Sequence, residues 1–169
     1  DIEKIRIGIP SVIKGRLTIN EPVDIQAAQM SLPFSMALAA QRTPEAGAGL
    51  ALSIGDYVDH IDNPDVRDLS KRIDCDVDTK MDEQAAGDSV PADITVTLKD
   101  GSEKSTYVSA PKGSPSRPFT REDHITRFND ELQKRYAKEK VARLLDQLEH
   151  FAELPDVSSL GKVLNDSLD

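Results

Sequence analysis

Ile94-Thr95-Val96-Thr97-Leu98-Lys99-Asp100-Gly101, with the return from Glu103 to Val108, is the stretch that sets the fold class. Ile94, Val96 and Leu98 alternate with Thr95, Thr97 and Lys99, the period of a strand with one face toward a core. Asp-Gly is a turn pair that accepts the positive φ of a tight connection, so the segment predicts a β-hairpin. Near the start, Ile5, Ile7 and Ile9 alternate with Arg6 and Gly8 and predict a second half-buried strand ending at Pro10. Ser11 to Pro22 has little periodicity and is read as a loop.

Around these strands the period lengthens. Ser31-Leu32-Pro33 reads as a cap followed by a proline of the first helical turn, opening a helix from Leu32 to Gln41. That helix has almost no polar face, which predicts burial on most sides. Gly47 and Gly49 break the chain before a short helix near Ile54 to Ile61. Asn63-Pro64 opens another, with Val66, Leu69 and Ile73 at helical spacing. Asp76 to Asp78 is expected to pair as a brief strand, and Gln84 to Ala92 to be a mobile loop. Ala110 to Pro118 holds Pro111, Pro115, Pro118 and Gly113, an extended connector. Beyond it come three helices. One starts at Thr120 with Glu122 and Asp123 in its first turn and a stripe of Ile125, Phe128, Leu132 and Tyr136. The next spans about Lys138 to Phe151, with Val141, Leu144, Leu145 and Leu148, and the last Val157 to Leu164. The layout predicts an α+β protein: a mostly antiparallel sheet covered by helices over 1–110, then a connector and helices over 111–169. The apolar stripes of those last helices fit an all-helical bundle whose other members lie outside this sequence.

At 169 residues, 38% hydrophobic and 30% charged, the chain suits a globular protein rather than a disordered one. Met30 to Ala40, its longest apolar stretch, is interrupted by Ser31, Pro33 and Ser35 and falls short of the roughly 20 residues that span a bilayer. A net charge of −9 argues against nucleic acid as a partner, because phosphates require surplus Lys and Arg. The lone Cys75 cannot form an internal disulfide, which points to a reducing cytoplasm. Asp1 in place of a methionine points to a processed or excised piece.

The residues offer little catalytic chemistry of their own. His60, His124 and His150 each stand alone on a predicted helix without metal-ligand spacing, and no HExxH, CxxC, GxSxG or P-loop pattern occurs. Cys75 lies between two aspartates, whose charge disfavours its thiolate. The acidic run Asp74 to Glu83 begins like a calcium loop. It lacks the glycine at position 6, where Thr79 stands, and the glutamate at position 12, where Ala85 stands. Lys112 and Arg117, in a rigid loop with Gly113, are candidates to contact an anion, and a plain linker is the alternative.

Four segments in order carry a resemblance. They are Gln29 to Ala39, Asn63 to Leu69, Ile94 to Gly101, and Pro111-Lys112-Gly113-Ser114-Pro115-Ser116-Arg117-Pro118-Phe119-Thr120 before a helix containing Phe128. Together they resemble the C-terminal part of the MmgE/PrpD family, which includes 2-methylcitrate dehydratase, cis-aconitate decarboxylase and iminodisuccinate epimerase. The resemblance runs from Ile2 to Leu164. It implies a large helical domain interrupted by a smaller α+β one. Ile2 to about Ala110 corresponds to the inserted domain and Pro118 to Asp169 to the returning helices. It further implies a homodimeric lyase or isomerase that removes a proton next to a carboxylate of a small di- or tricarboxylate, with no metal or nucleotide cofactor. Most of the family's acid-base groups fall upstream of Asp1, so no catalytic residue is expected in this chain. Relatives commonly read Ser-Leu-Pro-Tyr, the tyrosine facing the substrate pocket, where this chain has Ser31-Leu32-Pro33-Phe34. Ser31 and Phe34 are therefore the substrate-binding candidates. Phe34 has no hydroxyl to donate, which disfavours decarboxylation and leaves dehydration or isomerisation. Phe34 as core filler is the alternative. At the level of function, the alternative is a non-catalytic α+β module whose exposed helices mediate association.

Overall fold

The computed structural model describes residues 1–41, 52–87 and 89–165. They form two compact units, one ending at Phe119 and the other beginning at Thr120. The breaks expected at Gly47 and Gly49 lie outside the described residues.

In the first unit, β1 (Ile2–Ile9) is followed by α1 (Ile25–Gln29), α2 (Leu32–Gln41), α3 (Ile54–His60) and α4 (Pro64–Lys71). After these come β2 (Ile73–Val77), α5 (Thr79–Gln84), β3 (Ala92–Leu98) and β4 (Glu103–Val108). The sheet order is β2-β1-β3-β4. β3 pairs antiparallel with both β1 and β4, and β1 runs parallel to β2, so the sheet is mixed within an α+β protein. The turn between β3 and β4 places Gly101 at a φ of 82°, as the Asp-Gly pair requires.

Register explains the core. Ile5 lies beside Ile73 and Ile7 beside Cys75, and these side chains share one face of the sheet. Phe34, Ala37 and Leu38 of α2 and Val66 and Leu69 of α4 complete that core. Lys4 and Arg6 point to the other face, where they meet Asp74 at 2.7 Å and Asp76 at 3.5 Å.

Three features differ from the sequence reading. α4 stops at Lys71, and the Arg72 N–H returns to the carbonyl of Leu69 at 2.9 Å. Ile73, spaced to extend the helical stripe, instead opens β2, because pairing with Ile5 buries it equally well. Thr79–Gln84 forms a helix that the sequence reading did not expect, since Asp78 caps it by accepting the Lys80 N–H at 2.9 Å. Finally, α2 is less enclosed than its composition implied: Ala39, Ala40 and Gln41 are exposed.

The second unit consists of α6 (Arg121–Leu132), α7 (Lys138–Glu149), a 3-10 turn (Phe151–Glu153) and α8 (Ser158–Asn165). Thr120 and Asp123 form a capping box that starts α6. α6 ends before Tyr136, whose ring instead receives the Lys140 ammonium at 4.6 Å from its centroid. Val141 and Leu144 of α7 are buried, as is Val163 of α8, whereas α6 buries no residue completely.

Candidate functional site

The start of α2 is built from polar contacts. Ser31 is buried, its hydroxyl donating to the Ile19 carbonyl and accepting the Phe34 N–H at 3.0 Å. That oxygen caps the helix N-terminus, while its proton ties the cap to the preceding loop. The loop that Ser31 grips is held further on by Asn20, whose amide donates to the carbonyls of Ser70 and Ile73, each at 2.8 Å. Ser70 returns a bond from its hydroxyl to the Asn20 carbonyl at 2.7 Å.

Phe34 has 0% exposure, its ring stacked on Tyr57 with centroids 6.4 Å apart and planes 24° from parallel. The ring is buried within this unit, in the cluster it shares with Ile5, Ile7 and Leu38. Tyr57, which sequence reasoning missed, shares a 2.8 Å hydrogen bond with the Ser35 hydroxyl. The signal that marks it is modest: it is one of three tyrosines, on a short helix whose other apolar positions are not enclosed.

Lys112 and Arg117 occupy the entry and exit of the connector turn. The Gly113 N–H donates to the Arg117 carbonyl at 2.7 Å, and the Arg117 N–H to the Ser114 carbonyl at 2.9 Å. Gly113 has a φ of 97°, and a Cβ there would lie 2.6 Å from Cε2 of Phe119. The Arg117 guanidinium also reaches the Ala110 carbonyl at 3.4 Å, so it braces its own loop. Both cationic side chains are exposed. They sit on a different element from the buried Ser31 and Phe34.

The carboxylates of the acidic run are distributed among separate tasks. Asp74 and Asp76 pair with Lys4 and Arg6, Asp78 caps α5, and Asp82 accepts the Ser11 N–H at 2.7 Å and its hydroxyl at 2.9 Å. Among the described residues no cluster of three or more His, Cys, Asp or Glu side chains is arranged to hold a metal ion. Cys75 faces the core, and burial pushes its thiol up to about 11, with the Lys14 charge opposing and the Asp76 and Asp74 charges adding to the effect. Because the folded thiol is raised above its ordinary 9.0, the stabilisation it gives is complete below pH 9 and is lost as pH rises toward 11. Urea midpoints at pH 8 and 10.5 should fall further for the natural chain than for Cys75→Ala. Iodoacetamide at pH 8 should label Cys75 readily only after unfolding.

Two of the three histidines, each isolated in sequence, line one cleft of the second unit. His124 and His150 line a cleft of about 500 Å³ between α6 and α7, with Arg121 and Glu149 beside them and Ile125, Phe128, Leu145 and Leu148 as its apolar floor. Arg121 is ion-paired with Glu149. His150 closes α7, its ring nitrogen 2.9 Å from the Asp146 carbonyl; that hydrogen bond, then the Asp146 charge, raises its pKa. His60, by contrast, bonds only locally, to the Asp56 carbonyl at 2.9 Å.

No helix among the described residues is long and apolar enough to cross a membrane. No match was found among curated protein sequences. A family model described as the MmgE/PrpD C-terminal domain matches residues 1–151. That span takes in the whole first unit and both α6 and α7. It contains the α2 start, the α4 start, the β3–β4 hairpin and the Gly113 loop in the order in which they carried the resemblance, and the chain belongs to the MmgE/PrpD family as its C-terminal domain.

Proposed function

We propose that this chain is the C-terminal portion of a homodimeric, cytoplasmic lyase or isomerase that removes a proton next to a carboxylate of a small di- or tricarboxylate. The family match over residues 1–151 carries this reading. The protein needs no metal or nucleotide for that chemistry, and its acid-base groups come from a helical region outside this chain. In the assembled enzyme, residues 1–110 form the small α+β domain, and the helices within 111–169 complete the helical one.

This domain's contribution to the substrate site is the start of α2. Ser31 and Phe34 act there from behind the pocket wall, setting where the helix begins. Two facts support this: the Ser31 hydroxyl is committed to the cap, and the Phe34 ring is sealed against Tyr57. Lys112 and Arg117, both exposed, are our candidates to contact a substrate carboxylate. The 169-residue chain alone should show no turnover of 2-methylcitrate, citrate or cis-aconitate in an assay following loss or gain of the double bond. Measurable turnover by the purified chain would remove the premise that the proton-transferring groups lie elsewhere.

A further inference from the structure

β2 is an outer strand of the sheet, so the carbonyls on its side away from β1 have no neighbouring strand to pair with. Side chains of the loop between β1 and α1 take them instead. The Lys14 ammonium donates to the Cys75 carbonyl, and the Asn20 amide donates to the Ile73 carbonyl at 2.8 Å. The other N–H of that amide reaches the Ser70 carbonyl, also at 2.8 Å, and the Ser70 hydroxyl donates to the Asn20 backbone carbonyl at 2.7 Å. Ser70 has 0% exposure, so water has little access to replace these bonds. The loop is thereby a strap laid along the edge of the sheet.

Just ahead of Asn20 the same strap holds α2. The Leu17 carbonyl accepts the Leu32 N–H at 2.7 Å. The Ile19 carbonyl accepts the Ser31 hydroxyl, whose oxygen in turn caps the Phe34 N–H at 3.0 Å. Ile19 is the residue before Asn20, so where its carbonyl stands follows from the two carbonyls that the Asn20 amide grips. A planar amide supplies two N–H donors from one nitrogen, which neither an aspartate nor a serine can do. We propose that Asn20 is a positioning residue for the substrate site: it fixes the strap to the junction of α4 and β2, and the strap fixes where α2 begins. This inference rests on the reading of the α2 start as this domain's contribution to that site.

Amide hydrogen exchange on the 169-residue chain tests the first link, and steady-state kinetics on the chain joined to the helical region proposed above tests the second. Asn20→Ala should speed exchange at Leu32 and Phe34 by at least about tenfold more than at the amides of β1 and β3. Asn20→Asp should do the same at pH 7 and regain part of that protection at pH 5, where a protonated carboxyl recovers one donor. Gly101→Ala, which destabilises the hairpin turn instead, should show no such preference for Leu32 and Phe34. In the joined protein, Asn20→Ala should raise KM by at least about fivefold and leave kcat within about twofold, whereas Gly101→Ala should leave both unchanged. Exchange that rises equally at all amides would overturn the proposal and reduce Asn20 to a support of the fold. Selective loosening of Leu32 and Phe34 with KM and kcat unchanged would also overturn it, by uncoupling α2 from the substrate. A folded joined protein with natural Asn20 that turns over none of 2-methylcitrate, citrate and cis-aconitate would overturn the enzymatic reading and, with it, the assignment to a substrate site, while the exchange rates show separately whether the strap positions α2.

Discussion

Phe34→Ala should destabilise the chain by about 3 to 5 kcal/mol, the cost of emptying an aromatic site that cannot collapse. The site is rigid because three elements meet there. Phe34 has 0% exposure, stacks on Tyr57 and joins the cluster with Ile5, Ile7 and Leu38, while the N–H of its own residue is held by Ser31. Phe34→Tyr should cost less, about 1 to 3 kcal/mol, because a buried hydroxyl needs a partner and the nearby Tyr57 and Ser35 hydroxyls already bond to one another. Urea melts of the three proteins give the order natural, Tyr, Ala. In the complete enzyme, kcat/KM per folded molecule should be unchanged by Phe34→Tyr. An unchanged midpoint with an altered kcat/KM would put the ring tip in contact with substrate and return Phe34 to the pocket wall.

Gly113→Ala should show the second large loss. Two separate costs arise at this position. A φ of 97° is strained for any L side chain, and the new Cβ would stand 2.6 Å from the Phe119 ring. Each effect is worth about 1 to 3 kcal/mol. Gly101→Ala provides the comparison, since Gly101 also has a positive φ, of 82°, but nothing lies within 4 Å of its Cβ position. It should lose only the conformational part, about 1 to 2 kcal/mol. Equal losses in the two variants would mean that Phe119 moves aside freely and that the connector is not packed as described.

The strands and most helices were readable because their signals are local. Alternation at Ile5, Ile7 and Ile9, the Asp100-Gly101 pair and the Asn63-Pro64 helix start each encode backbone geometry within a few residues. Where the reading slipped, a long-range partner decided. Ile73 fits a helix by spacing and a strand by pairing, and Ile5 selected the strand. α5 was obscured by the acidic run, whose Asp78 serves as a cap and whose Asp82 is taken by Ser11, 71 residues away in sequence. The site was less legible than the fold. The two uses of the Ser31 hydroxyl, the enclosure of Phe34 by Tyr57 and the cleft that His124 and His150 share all depend on how elements pack, which no spacing within one segment records. The family itself was legible, because four short segments in fixed order survive as sequence.

The most direct test of the central claim is proton NMR in heavy water. It would follow deuterium incorporation next to the carboxylates of 2-methylcitrate, citrate and cis-aconitate. One sample would contain this chain, and the other the chain joined to the helical region proposed above. The extended protein should exchange that proton and carry one of the substrates to product, while the 169-residue chain leaves all three unlabelled. Exchange by the short chain, or an extended and folded protein that labels none of the three, would contradict it.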